Sequence, residues 1–379
     1  MKITKVEAIP IRQSADVQLN NDSAQDGIII RIRTDEGITG YGEVDSAPMV
    51  VKAAIDAPSS HRMCRGLAEI IMGENPLETD RLWEKMYHAS TFYGRRGATV
   101  HAMSGIDLAL WDIKGKALGK PVYELLGGAV RQRVRAYAST LMPYTPEEAY
   151  EETRKWCDAG FTAIKLGWGG LEQDDRTIVA LVEAARRAAG PDVDLMFDLG
   201  FIPSDDLVID AASRIPLIRK LEPFDPYWIE EALYPDDLDG YRKLAESTSI
   251  RIACGENDCT RYGFKTLLEL GKVDIIQPDV TRCGGLGEAK RIAQLAQSYQ
   301  VTCIPHAWSS GIVIAASMHL IASTPNSNLL EYCIVDSPIR RDLLEEDIAV
   351  KDGYAEISHK PGLGFEINEE ALEKYRTDK

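Results

Sequence analysis

The chain has 379 residues, 45% of them apolar, which is enough for a sizeable core, and it carries a formal net charge of −16. That charge repels polyanions, so nucleic acid and anionic membrane surfaces are poor partners, whereas a small anionic substrate can still be held at a locally positive metal site. The seven cysteines are scattered and several lie in apolar runs, as reduced buried thiols do; no signal-peptide core or membrane span is read, and a cytoplasmic protein is expected.

In chain order, "KITKVEAIPIR" and "GIIIRIRTDEGITGYGEV" alternate as strands do, with the polar "DEG" supplying a hairpin turn. The stretch "RQSADVQLNNDSAQD" between them is polar and without a period, and reads as a mobile loop. Further on, "AMSGIDLALWDIKGKALG" repeats its apolar positions at helical spacing, so residues 1–125 read as an α+β domain. From Arg133 the pattern changes to short apolar strands alternating with amphipathic helices. The strands are "RVRAYAST", "TAIKLG", "VDLMFDL", "YWIEEAL", "IRIACGE", "DIIQPD", "VTCIPH" and "NLLEYC", spaced about 25 to 35 residues apart, the size of one βα unit. Eight such units predict a closed parallel α/β barrel over residues 126–335. A doubly wound open sheet is the competing topology, but "CGGLGEA" does not complete a dinucleotide fingerprint and comes late in the chain. Residues 336–379 regain strand character and are expected to return to the first domain.

In a parallel barrel the carboxyl ends of the strands share one rim. The last polar residues of consecutive strands are Lys165, Asp198, Glu230, Glu256, Asp279, His306 and Glu331. Burying so many charges without a use is costly, so together they point to a site. Asp198, Glu230 and Glu256 are three carboxylates on neighbouring strands, which repel unless a cation sits among them; all-oxygen ligation suits Mg2+, with Mn2+ the alternative. Glu231 is expected on the opposite side of its strand. Asp279 and His306 end adjacent strands, and an aspartate beside an imidazole fixes its tautomer and raises its basicity.

With these residues the chain resembles the enolase superfamily, in particular its mandelate racemase subgroup, over almost its whole length. "SGIDLALWDIKGKALGKPVYELLGG" is similar to the family's capping domain, and the resemblance implies a (β/α)7β TIM-like barrel with an N-terminal α+β cap completed by the C-terminal segment. "FDLG", "WIEEAL" and "CGEN" match the metal-ligand positions, implying Mg2+ on Asp198, Glu230 and Glu256. "QPDVTRCGG" and "IPHAW" match the histidine–aspartate dyad, and "LLEY" matches a glutamate that bonds the substrate carboxylate. The step shared by the superfamily is removal of the proton α to a carboxylate, giving an enediolate held by the metal.

Members commonly end the second strand with K-x-K, the second lysine acting as a base opposite the histidine. In "FTAIKLGWGG" that second position is Gly167, so Lys165 remains to meet the substrate carboxylate and the second base is missing. Gly200 likewise stands where some dehydratases of the group carry a histidine. The expected activity is therefore dehydration of a sugar acid (aldonate or aldarate) to a 2-keto-3-deoxy acid, with His306 performing both proton transfers. A cycloisomerase or epimerase acting on a sugar acid or lactone is the alternative, and a non-catalytic binding protein that keeps the fold is the remote one. Specificity is expected from residues 14–27 and 45–60 and from "TFYGRRG", where Tyr93, Arg95 and Arg96 are candidate substrate contacts; a helix cap or an interdomain ion pair competes for the two arginines. The expected partners are a small-molecule carboxylate substrate and further copies of the chain in a homo-oligomer, with neither nucleic acid nor membrane.

Overall fold

The computed structural model describes residues 1–13, 25–200 and 209–378. The chain begins with an antiparallel sheet of β1 (Ile3–Arg12), β2 (Asp26–Thr34) and β3 (Thr39–Val44). The helix Ala98–Leu118 lies directly on β3, and glycines on both elements permit the approach. A Cβ on Gly42 would stand 2.0 Å from the Gly105 carbonyl oxygen, and one on Gly105 would stand 2.4 Å from Val44. The apolar faces of sheet and helix form a separate core around Ile30, Val44, Ile106 and Leu110.

The second sheet contains eight parallel strands: β4 (Arg133–Leu141), β5 (Ala163–Gly167), β6 (Asp194–Asp198), β7 (Trp228–Glu230), β8 (Arg251–Cys254), β9 (Ile275–Ile276), β10 (Thr302–Cys303) and β11 (Leu329–Cys333). They neighbour one another in chain order from β4 to β10, while β11 pairs with β4, which is the cyclic order of an α/β barrel. A backbone bond of 2.9 Å from Cys303 to the Asn326 carbonyl reaches from β10 to the turn that leads into β11. Most of these strands are shorter than the sequence predicts, β9 and β10 being reduced to two residues each. Pro278 and Pro305 follow β9 and β10 and carry no N–H for the ladder, so Asp279 and His306 sit on loops just beyond the strands rather than at their ends. Glu256 also lies just beyond its strand.

The barrel interior is layered because strand side chains alternate. Tyr137, Ala163, Met196, Trp228, Ala253, Ile275, Ile304 and Leu329 form a cluster with one residue on or beside each strand. Two positions further along each segment stand Ser139, Lys165, Asp198, Glu230, Gly255, Gln277, His306 and Glu331. An apolar floor therefore underlies a polar layer.

The C-terminal segment does more than return to the first domain. The hairpin β12 (Val350–Lys351) and β13 (Tyr354–Glu356) pairs antiparallel with the start of β4, and only then does the helix Glu369–Tyr375 reach the first sheet. There Glu369 meets Arg31 at 3.0 Å, and the Thr377 amide donates to the Pro10 carbonyl at 3.0 Å. No helix among the described residues is long and apolar enough to cross a membrane.

Candidate active site

The polar layer converges on three carboxylates. Asp198, Glu230 and Glu256 are buried, and one oxygen from each lies within 4.8 Å of the others. Burial, and then the charges of Glu230 and Glu256, push the Asp198 carboxyl well above its ordinary range, against the opposing Lys165 ammonium. Clustered buried anions with oxygen donors only are the donor set of a hard divalent cation, and these residues fit one. Each ligand is also held from outside the cluster. The Trp168 indole N–H donates to Asp198 Oδ2 at 3.2 Å and the Gly200 amide to Oδ1 at 3.0 Å. Trp228, from the apolar floor, donates to Glu230 Oε2 at 2.8 Å, and Asn257 donates to Glu256 at 3.3 Å.

Lys165 is 2% exposed and its charge is fully met. Its Nζ lies 2.7 Å from Glu230, 2.8 Å from Glu331 and 3.7 Å from Asp198. Burial disfavours the ammonium, but Glu230 and Glu331 more than offset it and hold the pKa above the usual lysine value. Glu331 accepts from Ser139 Oγ and from the Ala307 amide, both at 2.7 Å. Burial raises its pKa, yet Lys165 and His306 bring it down to about 2, so it stays ionised.

The dyad is assembled as the sequence predicts in composition, though from loops. His306 Nδ1 lies 2.7 Å from Asp279 Oδ2, and Nε2 lies 3.1 Å from Glu256. Asp279 Oδ1 accepts from both the amide and the hydroxyl of Thr281 at 2.6 Å, which fixes the carboxylate and, through it, the ring. Burial lowers the His306 pKa, but Glu256, Glu331 and Asp279 raise it to about 10. That value belongs to a cluster whose negative charge is uncompensated; a cation on Glu256 would remove the largest raising influence and free Nε2 to accept a proton. The largest raising influence, Glu256, belongs to the carboxylate cluster, so the basicity of His306 is tied to what that cluster holds.

Several residues of the site escape sequence reasoning. The Arg282 guanidinium donates to the carboxylate of Asp45, in the first domain, at 2.5 Å and to the Asp45 backbone carbonyl at 3.0 Å, and stands 3.6 Å from Glu256 and 3.8 Å from Asp279. Its place in "QPDVTRCGG" beside Asp279 was the available signal. Glu43, at the end of β3, accepts from the Ser309 and Ser310 hydroxyls at 2.9 and 2.8 Å and from the amides of Ser310 and Val313 at 3.2 and 3.1 Å. It thus caps the helix Gly311–Ser323 of the barrel from the other domain. Glu231 turns away from the carboxylate cluster, as expected, and accepts from the Gly255 amide at 2.8 Å.

The proposed specificity residues are placed differently. The Tyr93 hydroxyl donates to the Arg65 carbonyl at 2.5 Å, Arg96 faces Asp236 across the domains at 3.5 Å, and Arg95 is exposed near Tyr87. Among the described residues, no hydrogen bond or ion pair joins these three to the carboxylate cluster. Of the two loops, residues 14–24 lie outside the described residues, whereas Asp45 of the second reaches Arg282.

Residues 2–127 match the Mandelate racemase / muconate lactonizing enzyme N-terminal domain, and residues 148–371 match the Enolase C-terminal domain-like family. The chain is 33% identical to a D-galactarolactone cycloisomerase of Agrobacterium fabrum over 99% of each chain. It is 36% identical to a D-galactonate dehydratase of Pectobacterium atrosepticum over 91% of this chain and 90% of that one. The crystal structure of the 3,6-anhydro-D-galactonate cycloisomerase from Zobellia galactanivorans superposes with a TM-score of 0.88 at 35% identity, covering 100% of both chains. Matches to both halves, full-length relatives and the rim of charges on a parallel α/β sheet place the chain in the enolase superfamily, in its mandelate racemase subgroup.

Proposed function

We propose that the protein is a Mg2+-dependent hydro-lyase that removes water from a sugar acid to give a 2-keto-3-deoxy acid. The observation that carries this reading is the asymmetry of the rim. His306 with Asp279 supplies an acid–base group on one side, while across the barrel the corresponding strand ends in Gly167. A side chain at Gly167 would crowd the Asp198 side chain, since its Cβ would stand 2.9 Å from the Asp198 Cβ. A single proton carrier suits β-elimination, in which the same group takes one proton and returns it.

Asp198, Glu230 and Glu256 would hold the divalent cation, which when bound supplies positive charge to the substrate carboxylate and acidifies its α-proton. His306 accepts that proton at Nε2, the nitrogen not bonded to Asp279. As the bond from C3 to its hydroxyl breaks, the imidazolium returns the proton and the hydroxyl leaves as water. The resulting enol tautomerises to the 2-keto product. Lys165 stays cationic beside Glu331, where it meets the negative charge that gathers on the substrate carboxylate. The seven free cysteines accord with work in the reducing cytoplasm.

A second reading has support of its own. The Agrobacterium cycloisomerase aligns over 99% of this chain, and a lactone would lose its ring C–O bond where the open acid loses its hydroxyl. The same proton transfer from carbon begins both reactions. The test is a panel of aldonates, aldarates and their lactones incubated with the Mg2+-loaded protein and followed by NMR. A 2-keto-3-deoxy product from an open-chain acid with release of water supports the dehydratase. Turnover of lactones alone assigns the cycloisomerase, and no Mg2+-dependent exchange of any α-proton refutes both.

A further inference from the structure

The end of β5 and the turn after it read Gly167, Trp168, Gly169, Gly170. The turn's glycines are required by close approach. A Cβ on Gly169 would lie 2.5 Å from the Met142 carbonyl oxygen, and one on Gly170 would lie 2.1 Å from that of Pro143. A Cβ on Gly167 would crowd Asp198, as described above. The one side chain this turn carries is an indole, on a residue at φ +53°, a region that disfavours any residue with a Cβ. Trp168 holds Asp198 twice, through its backbone N–H to the Asp198 carbonyl at 3.0 Å and through its ring N–H to Oδ2 at 3.2 Å.

We propose that Trp168 is a positioning residue whose indole N–H fixes Asp198 in the orientation a divalent cation needs, and whose ring walls the substrate site on the side away from His306. The proposal rests on the carboxylate cluster being a cation site. Groups that orient a ligating carboxylate tune affinity although they never touch the ion. Trp228 does the equivalent for Glu230 from the barrel floor, so two of the three ligands are braced by indoles. β5 and β10 are separated by β6 to β9 in the strand order, so the Trp168 turn and the His306 loop leave well-separated strands of the rim. An indole donates a hydrogen bond but has no lone pair to accept a proton and none to lend at neutral pH. The wall is inert to proton transfer, and the α-carbon can be deprotonated from the His306 side only.

The experiment titrates Mn2+ into metal-free protein without substrate, following free Mn2+ by electron paramagnetic resonance. Trp168→Phe keeps a ring and removes the N–H; it should weaken Mn2+ binding by about 10-fold or more, with the thermal midpoint of the metal-free protein unchanged. Wild-type affinity in this variant overturns the positioning role. Trp168→Ala should additionally raise KM for the substrate more than it lowers kcat, whereas equal KM in the Ala and Phe variants overturns the wall. If the variants do not fold, the unaltered chain labelled with 5-fluorotryptophan still decides. Of its six tryptophan signals, at least two, from Trp168 and Trp228, should move on adding Mg2+, and movement of fewer overturns the proposal. Because the Mn2+ and fluorine readouts need no sugar acid, failure of the substrate panel with weakened Mn2+ binding in the Phe variant removes the dehydratase reading and leaves the positioning role standing. Absence of Mn2+ binding by the unaltered chain removes both.

Discussion

His306→Asn separates the proposed chemistry from the architecture that supports it. Asparagine keeps a donor for Asp279, whose other oxygen is held by the amide and hydroxyl of Thr281 at 2.6 Å, so the loop after β9 should stay in place. The lost bond between His306 and Asp279, 2.7 Å long, is largely replaced, and the cost to stability should be about 1 kcal/mol. Catalysis should respond far more. An amide cannot cycle a proton near pH 7, general acid–base catalysis contributes roughly 100 to 10,000-fold per step, and one imidazole serves both steps here. The combined loss should be at least about 10,000-fold, or about 5.5 kcal/mol at 1.36 kcal/mol per decade. The assay is proton NMR in deuterium oxide, reading α-proton exchange and product formation in the same tube. Both should stop together. Exchange that persists while dehydration stops would make another residue the base and His306 only the acid, and dehydration near the unaltered rate would refute the mechanism. Asp279→Asn leaves the imidazole present without its orienting carboxylate and should give a smaller loss.

Other perturbations probe the remaining parts of the site. Chelation with EDTA should abolish activity and Mg2+ should restore it; Glu256→Gln, nearly isosteric but one charge short, should keep the fold by circular dichroism and weaken cation binding, and full activity in metal-stripped protein would refute the assignment. Lys165→Met should destabilise the metal-free protein by about 3 to 5 kcal/mol in urea titration, because Glu230 and Glu331 lose the ammonium that lies 2.7 and 2.8 Å away; Mg2+ should recover part of the loss, and a cost under about 1 kcal/mol would contradict the geometry. Burial raises Glu43 to about 7, so between its ordinary value near 4.5 and about 7 the folded state binds a proton that the unfolded state lacks, and its contribution to stability falls as pH rises. Replacing it in Glu43→Gln should shift the stability difference in favour of the variant by about 3 kcal/mol between pH 4.5 and 8, read from urea midpoints at each pH; a pH-independent difference would show that the helix N-terminus keeps Glu43 ionised throughout.

The residues legible in the sequence are those whose placement follows from register alone. Lys165, Asp198, Glu230 and Glu331 lie on β-strands, and a parallel sheet in cyclic order brings strand ends together whatever the connections do. Asp279 and His306 could be assigned to the same rim but not to the right kind of element, because Pro278 and Pro305 end the ladders early. What stayed hidden depends on how the domains dock. Arg282 stands three residues after Asp279, so its nearness to the dyad could be read; its bonding partner Asp45 is 237 residues away and could not. Glu43 reads as one more surface acid until β3 is set against the helix Gly311–Ser323. An aromatic beside arginines reads as a recognition loop, yet Tyr93 bonds within its own domain and Arg96 spans to Asp236 as the competing interdomain ion pair would.

The Asp45 and Arg282 pair changes what the first domain is for. Arg282 lies within 4.0 Å of both a cation ligand and the dyad aspartate, and the Asp45 carboxylate accepts from its guanidinium and balances part of that positive charge. Without Asp45, the guanidinium would bear more strongly on Glu256 and Asp279 and would draw charge away from the carboxylate that orients His306. The first domain therefore bears on the electrostatics of the dyad through Asp45, so a substitution at Asp45 should alter proton transfer even for a substrate that never touches that domain.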